Sequence, residues 1–302
     1  MGLLATAVPA LARARRLPLT RDQLMLLMAA INELFLGLDI YLAHSISGTI
    51  VPNEWIPIFF GPLAGITLLI AGAIALRNRP LATLLATVTF VGSIAVGLLG
   101  AYFHLTRALL PSAAIGQRAS LDLLVWAPPI LGPLTFCLVG MLGISAAWVE
   151  DPPDSGVLRL LGQGRLHMPM SKTRAYLLLV GLGILATLIS SVLDHARTGF
   201  HNPWLWVPTA VGTFATVITI SLASLKNIRP SDARVAIASM LMLIAVGLIG
   251  LGLHVQDNLT SQGVVVGERF LRGAPILAPT LYANMGMLGL IAMLEAEDSP
   301  PR

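Results

Sequence analysis

The stretch IAVGLLGAYFH at residues 94–104 returns almost unchanged as IAVGLIGLGLH at residues 244–254. A second pattern, His-x3-Gly-x6-Trp-x-Pro, begins at His44 and begins again at His195. Each pattern carries one histidine, so each half of the chain contains two histidines in matching places. This repetition predicts an internal duplication, with two halves of similar structure.

Further matches carry the duplication to the end of the chain. Pro129 and Gly140 correspond to Pro275 and Gly286, each within a matching group of apolar residues. The distance between equivalent residues changes only slightly along the chain, which places the insertions in loops. We therefore expect a first repeat at residues 1–152, a linker at residues 153–172 and a second repeat at residues 173–302.

The composition is that of an integral membrane protein. Hydrophobic residues make up 56% of the 302 residues and charged residues only 11%, whereas a soluble domain has about 25% charged residues. The mean hydropathy is +0.81 and the isoelectric point about 9.7. In such a chain the excess of Lys and Arg is typical of charges that flank membrane spans rather than of nucleic-acid binding.

Eight apolar runs are each long enough to cross the roughly 30 Å of hydrocarbon, which takes about 20 helical residues. They are expected to be helices, because a spanning segment must satisfy its own backbone hydrogen bonds. The predicted spans are residues 22–46, 56–76, 82–106, 125–148, 174–197, 205–225, 232–256 and 274–294. The fold class expected is an all-α integral membrane protein with eight transmembrane helices.

The charges also predict an orientation. Of the 19 Lys and Arg residues, fourteen fall on one side of the predicted spans and five on the other. The positive-inside rule makes the richer side cytoplasmic and places both termini there. Since each repeat has four spans, an even number, the two repeats should insert in parallel. A pseudo-twofold axis along the membrane normal should then relate them.

Span counting places the four repeated histidines at one depth, near the extracytoplasmic surface. They are His44, His104, His195 and His254. Imidazole is a common ligand of haem iron, copper and zinc. Two b-type haems, each with two axial histidines, would use all four. The natural pairing joins His44 to His104 and His195 to His254, although pairing across the repeats, or a single four-histidine copper, iron or zinc centre, would use the same residues.

Glycines precede two of these histidines on the same helix face. Gly97 and Gly100 lie seven and four residues before His104, and Gly247 and Gly250 stand in the same relation to His254. Such a face lacks side chains, and a flat macrocycle could lie along it. Close helix packing in a membrane uses the same spacing of small residues, so both explanations stay open.

Acidic residues in or near the spans are candidates for proton transfer or for tuning the site. Glu33 lies eleven residues before His44, on nearly the same face but deeper in the membrane, where charged groups are rare and often functional. Asp39 adds polarity to the same span. Asp194 is next to His195 and could orient an imidazole, although another partner is favoured because neighbouring residues in a helix point in different directions.

These features favour a haem-binding electron-transfer protein in a bacterial inner (plasma) membrane. Its expected partners are the lipid bilayer, other membrane or extracytoplasmic redox subunits of a larger oxidoreductase complex, and a quinone. Nucleic acid is not an expected partner. The sequence lacks CxxCH, HExxH and P-loop motifs, which argues against c-type haem attachment, zinc-protease chemistry and nucleotide hydrolysis. Two alternatives remain: a transporter or channel with a site near Glu33, and a structural anchor subunit.

Overall fold

The computed structural model describes residues 3–8, 18–45, 48–110, 113–160, 164–262 and 266–295. In chain order the α-helices in these residues are α1 (Leu3–Ala7), α2 (Arg21–Ser45), α3 (Trp55–Ala75), α4 (Arg79–Arg107), α5 (Leu121–Trp126), α6 (Leu134–Ala147), α7 (Lys172–Ala196), α8 (Trp206–Ser224), α9 (Pro230–Thr260), α10 (Val266–Arg272) and α11 (Thr280–Ala292). Two strands, β1 (Val157–Arg159) and β2 (Arg165–His167), form an antiparallel hairpin between α6 and α7.

Six of these helices are long and apolar enough to cross a membrane: α2, α3, α4, α7, α8 and α9. Most of their surface faces outward, and large apolar side chains such as Phe59, Leu63 and Val88 are exposed there. Exposed apolar surface on this scale suits lipid rather than water as the surrounding medium. The chain therefore has the composition and helix lengths of a helical membrane protein, as the sequence predicted.

The fourth and eighth predicted spans are not continuous helices. The run 125–148 contains the end of α5, an irregular segment at 127–133 and then α6, which has only 14 residues. Likewise α11 has 13 residues and begins after Pro279. Proline lacks a backbone N–H and disfavours a helical residue before it, so Pro129 and Pro133 delay the start of α6. At about 1.5 Å per residue, α6 is roughly 21 Å long, short of the hydrocarbon thickness.

Local sequence explains where the helices begin and end. The side chains of Asn78 and Ser171 accept hydrogen bonds from the first turns of α4 and α7, which satisfies N–H groups that have no partner inside the helix. After α2 and α7 the chain turns at Gly48 and Gly199, whose φ angles are +80° and +66°. Glycine adopts this left-handed conformation without strain, which accounts for its place in both copies of the histidine motif.

The short helices lie inside the bundle and the long ones surround them. In the first half α6 packs against α4 and α2, and in the second half α11 packs against α9 and α7. The halves meet where α2 contacts α11 and where α6 contacts α7. The interior is apolar: Phe90 and Phe136 are buried in one cluster, and Tyr176, Leu243 and Met285 in another.

Apart from one short hairpin, the described secondary structure is helical. The hairpin lies in the predicted linker 153–172, whose last residue, Lys172, is also the first residue of α7. Helix α1 packs against α9, and Leu4 N donates a hydrogen bond of 3.0 Å to Met293 O. Residues 9–17, with their arginines, lie outside the described residues.

Candidate functional site

The first two repeated histidines come together at one end of the bundle, here called the histidine end. His44 lies in the last turn of α2 and His104 in the last turn of α4. Their ring centroids are 6.1 Å apart and their planes are tilted by 53°. Both rings are partly exposed. Two helices that end at the same end of the bundle thus bring two imidazoles close together in a tilted arrangement.

Backbone carbonyls fix the protonation of both rings. His44 Nδ1 is 2.8 Å from Ile40 O, and His104 Nδ1 is 2.9 Å from Pro129 O. A carbonyl oxygen can only accept a hydrogen bond, so Nδ1 must donate in each ring. In the neutral imidazole the lone pair then resides on Nε2. Metal-ligating histidines are commonly held in this way, with the second nitrogen donating to a carbonyl.

The proline-rich break before α6 supplies one of these carbonyls. The segment 127–133 is not helical, so Pro129 O is turned toward α4 and accepts from His104 as well as from Gly132 N at 3.2 Å. In the second half Pro275 O accepts from His254 Nδ1 at 2.8 Å. The prolines that shorten α6 and α11 therefore also position a histidine in each half.

The second pair has a related but different setting. His195 is in the last turn of α7, and His254 of α9 lies close enough to interact with it electrostatically. His195 Nδ1 is 3.3 Å from Ser191 Oγ. The His195 ring contacts Phe200, with centroids 6.2 Å apart, and Phe200 stacks on Trp206 at 4.6 Å. An aromatic wall thus covers one side of His195.

A carboxylate that the sequence analysis overlooked lies beside the first pair. Glu54 Oε1 is 3.9 Å from His44 Nε2 and 3.4 Å from an Arg107 guanidinium nitrogen. The equivalent positions of the second half hold Leu205 and Asp257. The sequence alone could have pointed to Glu54, because it is an acidic residue inside the repeated motif where the other copy has Leu205. Its relation to Arg107 was not visible, because 53 residues separate them.

The glycine faces are covered, so the open groove expected along them is absent. A Cβ added at Gly97 would lie 2.6 Å from Cys137 Sγ and 2.9 Å from the Cys137 backbone nitrogen. One added at Gly247 would lie 2.6 Å from the Ala283 backbone nitrogen. Gly100 and Gly250 meet Pro133 and Pro279 in the same way, each at 2.8 Å. Close packing, the alternative explanation, accounts for these four glycines.

The structure also places the acidic candidates. Glu33 is completely buried and its Oε1 is 2.6 Å from Ser93 Oγ. Asp39 is partly exposed on α2. Asp194 Oδ1 is 3.7 Å from an Arg197 guanidinium nitrogen, and it is Ser191 that contacts the His195 ring. Of the three acids, Glu33 alone is enclosed by the bundle.

A single four-histidine metal centre does not form. Within the described residues, which include all four repeated histidines, no group of three or more His, Cys, Asp or Glu side chains could hold a metal ion. The copper, iron or zinc centre considered from the sequence required such a group. His44 and His104 instead form one pair of adjacent rings, and His195 interacts electrostatically with His254 in the second half.

The opposite end of the bundle holds an ionic cluster that the sequence analysis did not predict. Lys172 has no solvent exposure, and its Nζ donates to Asp22 Oδ2 and, at 2.7 Å, to Trp148 O. Tyr176 OH donates to Asp22 Oδ1 at 3.0 Å. Arg21 donates to Thr173 Oγ1 at 2.6 Å. These contacts join the start of α2 to the start of α7.

Together the six long apolar helices define a helical membrane protein with two histidine pairs at one end. No family model, curated protein or solved structure matches this chain. Its function must therefore be argued from the arrangement of its own residues.

Proposed function

We propose that the chain is built from two parallel four-segment halves related by a pseudo-twofold axis along the membrane normal. The sequence offset that carries His44 onto His195 also carries Arg21 onto Lys172 and Asp22 onto Thr173. Arg21 contacts Thr173, and Lys172 contacts Asp22. In each contact, the first position of one half therefore touches the second position of the other half. Such reciprocal contacts are the mark of a twofold relation.

In this arrangement the histidine end faces the extracytoplasmic side of a bacterial plasma membrane, and both termini are cytoplasmic. The distribution of Lys and Arg supports this orientation through the positive-inside rule. The fourth and eighth crossings consist of α6 and α11 together with the irregular segments before them. Non-helical backbone is tolerated at membrane depth where protein covers it, and α6 and α11 lie inside the bundle.

Within this frame we propose a membrane electron-transfer subunit with two b-type haems, one bound by His44 and His104 and one by His195 and His254. The observation that carries the proposal is the hydrogen bonding of Nδ1 to a backbone carbonyl in His44, His104 and His254. It leaves Nε2 of each ring as the atom that can bind iron. The centroids of the His44 and His104 rings are 6.1 Å apart, so the two residues are close enough to act on one ligand.

The protein's own contribution is to hold and orient the ligands. The Pro129 and Pro275 carbonyls fix two of the rings. When bound, the haem supplies the one-electron chemistry. A site near one membrane surface suits exchange with a quinol in the bilayer and with an extracytoplasmic redox subunit, as part of a larger oxidoreductase complex.

The test is to count haems in the purified full-length chain by the pyridine haemochrome spectrum, with elemental analysis to separate haem iron from a bare ion. Wild type should carry two haems, His104→Ala and His254→Ala one each, and the double variant none. His167→Ala is the matched control, because His167 is exposed in β2 and its loss should leave both haems.

A colourless, metal-free protein with normal folding would contradict the proposal, and so would a double variant that retains full haem content. If assembly with partner subunits also survives replacement of all four histidines, the structural-anchor alternative is the better explanation. Copper or zinc in place of haem would keep the histidine pairs as ligands but would reject b-type haem.

A further inference from the structure

A second polar pair lies deeper in the first half, beneath the histidines. Glu33 is near the middle of α2 and Ser93 is in α4, and both side chains are completely buried. Glu33 precedes His44 by eleven residues and Ser93 precedes His104 by eleven residues. Eleven residues are about three turns, or roughly 16 Å along a helix. The same faces of the same two helices therefore carry the histidine pair at one end and the Glu33–Ser93 pair inside.

The hydrogen-bond geometry around Ser93 favours a protonated Glu33. Ser93 Oγ is 2.6 Å from Glu33 Oε1 and 3.2 Å from Thr89 O. A hydroxyl has one hydrogen to donate, and the Thr89 carbonyl can only accept. If the carboxyl carries a proton, Glu33 donates to Ser93 and Ser93 donates to Thr89, and both contacts are satisfied. An ionised Glu33 would compete with Thr89 for the single serine hydrogen.

The second carboxyl oxygen leads to the same conclusion. Glu33 Oε2 is buried and has no hydrogen-bond partner. None of the ion pairs between described residues includes Glu33. A bare charge in this setting would be costly, because neither water nor a counter-ion stabilises it.

The second half shows that the bundle does not need a polar pair at this place. The equivalents of Glu33 and Ser93 are Ile184 and Leu243. Both are fully buried apolar residues in the core of that half. Because the same helix arrangement is filled by two apolar side chains, packing alone does not account for a carboxyl group in the first half.

We propose that Glu33 and Ser93 form a proton-binding site in the interior of the membrane, present in the first half only. Its ligand is a proton held by the Glu33 carboxyl group and shared with Ser93 Oγ. The site stands whether or not the histidines bind haem, because none of its contacts involves them.

An apolar carbodiimide is the first probe, since it enters membranes and reacts with protonated carboxyl groups. The acid O–H adds across one C=N bond, and transfer of the acyl group to nitrogen leaves an N-acylurea on the residue, with no oxidant and no leaving group. In the purified full-length chain, peptide mass spectrometry should locate the adduct at Glu33. Glu268, exposed in α10, is the matched control and should react with a water-soluble carbodiimide instead.

Infrared spectroscopy is the second probe and does not depend on reagent access. The wild-type spectrum minus that of Glu33→Gln should contain the C=O stretch of a protonated carboxylic acid, which deuterium exchange moves to lower frequency. Gln keeps the shape of Glu33 and can donate to Ser93, so this variant should fold. A difference spectrum with carboxylate bands in place of the acid band overturns the proposal, and so does an unmodified Glu33 in folded protein whose difference spectrum lacks the acid band.

Discussion

The two histidine pairs are held alike but surrounded differently. In each half a carbonyl from the proline-rich break before a short helix accepts from one histidine, Pro129 O from His104 and Pro275 O from His254. Around the first pair lie Glu54 and Arg107, whereas an aromatic wall flanks the second. The duplicated features orient the imidazole, and the features that differ set the charge around it.

The same contrast continues below the histidines. The first half places a carboxyl and a hydroxyl between its helices, and the second half places two apolar side chains there. A site whose ligands match but whose surroundings differ would bind the same group in both halves with different properties. Each change described below either removes a feature that both halves share or transfers one half's residues to the other.

The largest effect is expected at the cluster that joins the halves. In Lys172→Met, Asp22 and the Trp148 carbonyl lose a fully buried ammonium group. Removing one partner of a buried ion pair costs about 3–5 kcal/mol. Arg21→Met, the equivalent change in the first half, removes the hydrogen bond to the neutral Thr173 and a longer contact of 3.5 Å with Asp22, so its cost should be smaller, about 1–3 kcal/mol.

Denaturant unfolding of both variants in detergent micelles measures the two losses. Equal losses would mean that Asp22 is not the group that makes Lys172 important. A double variant, Lys172→Met with Asp22→Asn, should recover part of the stability, because it removes the uncompensated carboxylate as well.

The next effect concerns the packing that both halves share. Gly97→Ala and Gly247→Ala each place a methyl group against backbone atoms of the neighbouring short helix. Overpacking of this kind costs about 1–3 kcal/mol, and the loss should be similar in the two halves. Gly252→Ala is the matched control on α9, since nothing lies within 4 Å of its added Cβ. The free energies of unfolding of the three variants test this. If the free energy of unfolding of Gly97→Ala equals that of wild type, α6 does not pack closely against α4 at this position.

The long helices were predictable from sequence and the contacts between them were not. A run of apolar residues is enough to predict a helix such as α2 or α9 that is long enough to cross a membrane, and it places His44 and His254 towards the ends of those helices. The break before α6 arises because Pro129 and Pro133 interrupt a helix within an apolar run. Hydropathy measures only how apolar the run is, so it does not predict the break. The covering of Gly97 by α6, and the pairing of Glu33 with Ser93 across 60 residues, depend on tertiary packing.

A comparable effect is expected from giving the first half the interior of the second. The double variant Glu33→Ile with Ser93→Leu installs the apolar pair that the second half uses. Replacing both partners of a buried hydrogen bond by apolar groups of the same shape is close to neutral, but Leu is larger than Ser, so overpacking should lower the stability by about 1–3 kcal/mol. The carbodiimide adduct should vanish while the haem content stays that of wild type. Loss of haem from this variant would mean that Glu33 and Ser93 help to position the histidines. That result would contradict the independence of the two sites.

The smallest effect is expected from Glu54→Leu, which gives the first pair the residue found at Leu205 in the second. The Glu54–Arg107 contact is partly exposed, because the Arg107 side chain has 54% relative exposure, so stability should fall by no more than about 1 kcal/mol. A carboxylate near iron favours the oxidised, more positive state, and its removal should raise the midpoint potential of the first haem. If the lost interaction is about 0.2–1 kcal/mol, the rise is roughly 10–40 mV, since 59 mV is a tenfold change for one electron.

Redox titration of the two proposed haems measures this rise. The second haem is the internal control, because its potential should stay unchanged. A fall in the first potential would contradict this and would mean that Glu54 acts mainly by holding Arg107 near the iron, because moving a positive charge away lowers the potential.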